Sequence, residues 1–128
     1  MTAAADKAPR KFRFAAGGEG NSEEGGARKL VKLAQQAEEY GFDTFMIPDQ
    51  LGNQVGPIAA LGALTQATEK IRLGTAMLAN GFRHPAVLAK DAATIDVLSR
   101  GRLELGLVAP REGDLRARRR VLGEVGRG

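Results

Sequence analysis

Apolar and polar positions alternate in two distinct rhythms along this chain, and the rhythms change at glycines and prolines. Short apolar runs occur at Lys11–Ala16, in "FDTFMIP" after Gly41, in "KIRLGTAML" (Lys70–Leu78) and in "LELGLV" (Leu103–Val108). Each is short, apolar and bounded by turn residues, which predicts buried strands. Between them the period becomes helical. Ala27, Leu30, Val31, Ala34 and Ala37 share one face of a first helix, with Lys29, Lys32, Gln36 and Glu39 on the others. Ser22 is its expected N-cap, Glu23 and Glu24 suit its first turn, and Gly41 ends it.

A second helix starts at Pro57, with Ile58, Leu61, Leu64, Thr65 and Thr68 forming its stripe. A third starts at Pro85 and runs to about Leu98, turning Val87, Leu88, Ala92, Ile95 and Leu98 inward. Strands that alternate this regularly with helices imply right-handed crossovers and a parallel sheet, so the fold class is α/β. Periodicity leaves open whether the sheet is doubly wound or an arc of a barrel. Three regions follow: a disordered tail over 1–10, a folded unit over 11–109, and an Arg-rich tail or short helix over 110–128.

Composition narrows the chemistry. The 128 residues lack Cys and include one His, which excludes disulfides and thiolate metal sites and disfavours any metal. Neither a secretory h-region nor an apolar run of membrane-spanning length is present, so a cytoplasmic protein is expected. The net charge of +4 is unevenly placed, since residues 1–110 carry 13 Lys and Arg against 12 Asp and Glu. The rest sits in the tail, with no aromatic beyond residue 82, which argues against a nucleic-acid surface.

Strand C-termini are where α/β proteins place their sites. Asp49 and Gln50 follow the second strand, and Asp49 serves either a ligand or an Asx turn. Gly74 and Thr75 lie inside the third strand, where a glycine marks a bulge or a close approach to a ligand or a helix. His84, directly before Pro85, is a candidate catalyst or a helix cap. Arg83 beside it is placed to meet a phosphate or a carboxylate such as Asp49. "GGEGNSEEGG" matches neither dinucleotide-binding nor P-loop spacing.

"LAQQAEEYGFDTFMIPDQL" and "ATEKIRLGTAMLANGFRHPAVLAKDAATIDVLSRGRLELGL" together resemble the luciferase-like monooxygenase family, in its actinobacterial branch that uses flavin or deazaflavin. The resemblance covers roughly Phe12 to Leu107 and is most specific from Ile71 through Gly106. It implies about half of a TIM (β/α)8 barrel, with FMN or a deazaflavin (coenzyme F420) at the strand C-termini. It implies hydride or oxygen chemistry on a small organic substrate, and hence an oxidoreductase. A non-prolyl cis peptide at Ala76–Met77 is implied too, backing the ring, with Asn80 and Arg83 nearby as further cofactor-binding residues. Asp49, Gln50 and His84 are the catalytic candidates.

The chain departs from the family pattern in several places. Gln50 stands where many members have His, and an amide is no acid or base near pH 7. After the fourth strand, "GLVAPR" replaces a Gly-rich ending, and Glu112 falls one position late for the acid some deazaflavin enzymes place there. A full barrel takes about 250 residues and holds its usual phosphate site after strands seven and eight. A half-barrel exposes one sheet face and two edges, so a homo-oligomer joined through those edges is expected. The alternative is a non-catalytic remnant that binds cofactor or a partner chain.

Overall fold

A computed structural model describes residues 11–21 and 23–109, together with 112, 113 and 116. The strands are β1 (Ala15–Gly17), β2 (Thr44–Ile47), β3 (Arg72–Ala79) and β4 (Leu103–Val108). Helices α1 (Gly26–Glu39), α2 (Pro57–Ala67) and α3 (Pro85–Leu98) connect them in turn, and a 3-10 turn, Asn80–Phe82, precedes α3. All three strand pairings are parallel and the sheet order is β1-β2-β3-β4, so each strand lies beside its neighbour in sequence. This is the expected arc, about half of a barrel wall.

The element order matches the sequence reading, while two starts differ. β1 spans only three residues, because the chain before Ala15 makes its contacts through Phe14 and Asp43 rather than through a continued ladder. Phe14 N–H donates to Asp43 Oδ2 and Phe14 O accepts from Asp43 N–H, both at 2.8 Å. Helix α1 begins at Gly26, after a left-handed Gly25, with no side-chain cap and no acid in its first turn. Glu23 therefore precedes the helix, and the expected cap Ser22 lies outside the described residues, as do 1–10 and most of 110–128. Gly41, at φ 81°, reverses the chain after α1 as expected, in a conformation that a side chain resists.

The core lies between the sheet and the helices. Leu30, Ala34 and Ala37 of α1, Leu61 and Leu64 of α2 and Ile95 of α3 close over Phe45, Ile47, Leu73 and the preceding Ile71. The parity of Phe45, Ile47 and Leu73 is the informative point. A half-barrel reading makes them candidates for the concave face; the structure puts them beneath the helices instead. Barrel strands are apolar on both sides, so the sequence carries no parity signal there. The concave face holds Thr44 and Met46, Arg72 and Gly74, Glu104 and Gly106, a lining of polar and small residues with one methionine. Phe14 is exposed, and Leu105 borders exposure on the helix side, paired with Thr75. On α3, Leu88 and Ile95 are buried, whereas Val87 and Leu98, read as inward, are 58% and 47% exposed.

Two charged side chains fasten the N-terminal ends of the strands. Glu38 accepts from the backbone N–H groups of Glu69, Lys70 and Ile71 at 2.7–3.2 Å. Burial pushes its pKa up, but these donors and the nearby Arg102 guanidinium outweigh that and hold it below the usual carboxylate range. Arg102 donates to the carbonyls of Thr65, Thr68, Ile71 and Ser99 and to Thr68 Oγ1. It thereby joins the end of α2 to the starts of β3 and β4.

Candidate functional site

The C-terminal ends of the strands form the candidate site, and its centre is an irregularity between β3 and β4. Thr75 pairs with Leu105 and Leu78 with Leu107, so three steps on β3 match two on β4. The extra residue makes a bulge at Ala76–Met77, whose peptide bond is cis, at the position the resemblance implies. Both residues are exposed, Met77 by 51%. The ladder is mended from the side: Thr75 Oγ1 donates to Gly106 O at 2.9 Å and accepts from Gly106 N–H at 3.1 Å. The glycines beside the bulge permit this fit. A Cβ on Gly106 would lie 2.4 Å from Thr75 O, and one on Gly74 would lie 2.5 Å from Glu104 O.

Beside the bulge a cavity of about 440 Å3 is lined by Gly17, Gly18, Glu19, Met46, Pro48 and Ala76. The loop after β1 is held over it by backbone bonds from Gly18 N–H to Met46 O and from Val55 N–H to Gly20 O, each 3.0 Å. Gly17 and Gly18 leave this edge without side chains. Glu19 is thus a lining residue that sequence reasoning passed over, because a Gly-rich loop without a recognised spacing carries no signal for it.

Asp49 follows β2, and its side chain is only 3% exposed. Its Oδ2 accepts from Ala79 N–H at 2.9 Å and from Arg83 Nη1 at 2.6 Å, while Oδ1 accepts from Arg83 Nη2 at 3.1 Å. The structure thus brings together Asp49 and Arg83, a pairing the sequence offered as one of two partners for the arginine. Asn80 begins the turn between Ala79 and Arg83 and is exposed. Gln50 is exposed, and its Oε1 accepts a long 3.5 Å bond from Gln54 Nε2. His84 is the N-cap of α3, its Nδ1 accepting from Ala86 N–H at 3.2 Å. That is the capping role weighed against catalysis.

A larger cavity, about 660 Å3, opens at the opposite, N-terminal ends of the strands and includes Arg13, Arg72 and Glu104. There Glu104 bonds Arg13, Arg72 and Thr44 at once. Burial raises its pKa, but those three hydrogen bonds lower it further than burial lifts it. With Lys70, Glu38 and Asp43 also lining it, the cavity carries three cations and three anions, and in barrels this end serves stability. Size does not identify the site here; the strand C-termini do. Among the described residues no group of His, Asp and Glu could hold a metal ion.

The profile of the luciferase-like monooxygenase family matches residues 11–119. An F420-dependent glucose-6-phosphate dehydrogenase of Microbacterium testaceum (strain StLB037) is 36% identical over 107 residues, which are 77% of this chain and 31% of that one. Among solved structures, the F420-dependent tetrahydromethanopterin reductase of Methanopyrus kandleri aligns with a TM-score of 0.69 and 28% identity, over 77% of this chain and 27% of that one. The FMN complex of 3,6-diketocamphane monooxygenase from Pseudomonas putida, at 23% identity and a TM-score of 0.70, shares the fold over 79% of this chain and 30% of its own. The chain spans about a third or less of the length of the curated relatives it matches. With the matched profile extending from Lys11 nearly to the chain's end, and the parallel arc and its bulged third strand in place, this chain belongs to the luciferase-like monooxygenase family.

Proposed function

We propose that this chain supplies the cofactor-binding face of a flavin- or deazaflavin-dependent oxidoreductase acting on a small organic substrate in the cytoplasm. The observation that carries the reading is the exposed Ala76–Met77 bulge at the strand C-termini, with a cavity directly beside it. The residues fit such a group. The cavity falls in the range of about 300–1,000 Å3 typical of small-molecule sites, and Gly17, Gly18 and Ala76 leave flat, unobstructed walls. Ala76, Met77 and Asn80, all exposed, would hold the group. Bound there, the cofactor supplies hydride or oxygen chemistry. The F420-dependent relative and reductase favour the deazaflavin over FMN.

The protein's own contribution is positioning and electrostatics. Asp49 is engaged with Arg83, and His84 caps a helix, so neither stands ready as a general base. This engagement favours a second reading, a binding module without catalysis of its own. Among the described residues no strand covers the outer edges of β1 and β4, and Leu105 and Leu107 are exposed on the latter, which favours assembly into a homo-oligomer.

Titration of the purified chain with FMN and with reduced deazaflavin, followed by fluorescence, tests the reading. Micromolar binding with turnover of an organic substrate supports the oxidoreductase, and glucose 6-phosphate is one probe to include. Binding without turnover supports the module, and no binding to either cofactor defeats both. Sedimentation at micromolar concentration tests assembly; a compact, cooperatively unfolding monomer defeats it.

A further inference from the structure

We propose that Asp49 is a positioning residue, acting through Arg83 to set the segment that carries Asn80, and that it does not contact the ligand. The inference rests on the cofactor-binding reading above. Its basis is the geometry of a staple. The carboxylate takes the backbone N–H of Ala79 at one end of a five-residue segment and the Arg83 guanidinium at the other. Ala79 ends β3, two residues beyond Met77, and the 3-10 turn Asn80–Phe82 lies between the two anchored points. With three donors on two oxygens and 3% exposure, the acid presents no accepting face to the site.

A bidentate arginine on a nearly buried carboxylate is among the more rigid side-chain pairings. The bulge lies only two residues from the stapled end, so loosening the staple disturbs Met77 as well as Asn80. The acid thus belongs to the supporting structure beneath the ligand surface, and Arg83, 22% exposed, is committed to it rather than to a phosphate. An acid that follows the second strand in this way looks like a base or a ligand in sequence; its partners give it a different task.

The test compares Asp49→Asn, Arg83→Gln and the double variant with the parent chain. Dissociation constants for FMN and reduced deazaflavin are read by fluorescence, and amide exchange is followed across residues 79–83. Each single variant weakens binding by about tenfold, and the double variant is no worse than the weaker single one. Amide exchange across the segment rises to a similar degree in both single variants. Additive losses in the double variant overturn the proposal, because they mean that Asp49 meets the ligand separately. Unchanged affinity in folded single variants overturns it too. If the parent binds neither cofactor, the cofactor-binding reading fails and amide exchange alone decides: a matched rise supports the staple, and no rise refutes it. Should Asp49→Asn fail to fold, Arg83→Lys replaces it, with a smaller loss of affinity and a smaller rise in exchange expected; no change in either sinks the proposal.

Discussion

Thr75 and Gly106 exchange two hydrogen bonds through one hydroxyl, the side chain standing in for a ladder bond where β3 bulges away from β4. Thr75→Val keeps the shape and removes both bonds, leaving the backbone N–H and C=O of Gly106 without this partner. A loss of about 1–3 kcal/mol in unfolding free energy is expected, read from the urea midpoint. Thr75→Ser, which keeps the hydroxyl, should retain most of it. Equal losses for Val and Ser would assign the effect to packing alone.

Arg102 is a hub for the carbonyl groups of Thr65, Thr68, Ile71 and Ser99. Arg102→Met fills similar space but leaves the carbonyls of Thr65 and Thr68 without these donors, and a destabilisation of about 2–3 kcal/mol follows. Arg102→Lys recovers only part, because one ammonium cannot reach all of these acceptors. Full recovery by Lys would show that charge, rather than the fork of donors, matters here.

Acid should unfold the chain through Glu38 and Glu104. Both carboxyls have pKa values below the ordinary 4.5 in the folded state. Groups of this kind contribute stability that is fully present above the unfolded-state pKa and is lost as pH falls through the folded one. The urea midpoint should therefore be little affected by these two groups from pH 7 to 5 and decline below about 4.5. In Glu38→Gln with Glu104→Gln the decline should be shallower, from a lower starting stability. An unchanged acid slope would locate the effect elsewhere.

Two glycines make opposite predictions. Gly74→Ala places a methyl group 2.5 Å from a β4 carbonyl and 2.7 Å from Met46 Sδ, so the strands must part. A cost of about 2 kcal/mol or more is expected. Gly62 lies within α2 with open space around its Cβ position. Gly62→Ala should raise stability by about 0.5–1 kcal/mol through helix propensity. Thermal melts of both variants check the pair together.

What was legible in the sequence is what depends on local pattern. The order of strands and helices, the Pro57 and Pro85 helix starts and the Gly41 stop follow from period and punctuation. The bulge was signalled by Gly74 and Thr75, although the pattern did not show that the Thr75 hydroxyl repairs it. Strand parity was illegible, because Phe45, Ile47 and Leu73 sit in runs apolar on both sides. So were Glu38 and Arg102: each looks like a surface charge until the fold brings backbone groups about 30 residues away within reach. At the site, sequence could offer Arg83 two kinds of partner and His84 two roles; the fold shows a carboxylate beside the one and a helix cap in the other.

The sheet is laid down in chain order, each strand beside the one just before it. Pairing therefore never waits for a distant segment to arrive, and closure of each βα unit lies within a short, repeating span of chain. Every completed unit exposes the border on which its successor is built. Damage to one unit is consequently felt first by its immediate neighbours.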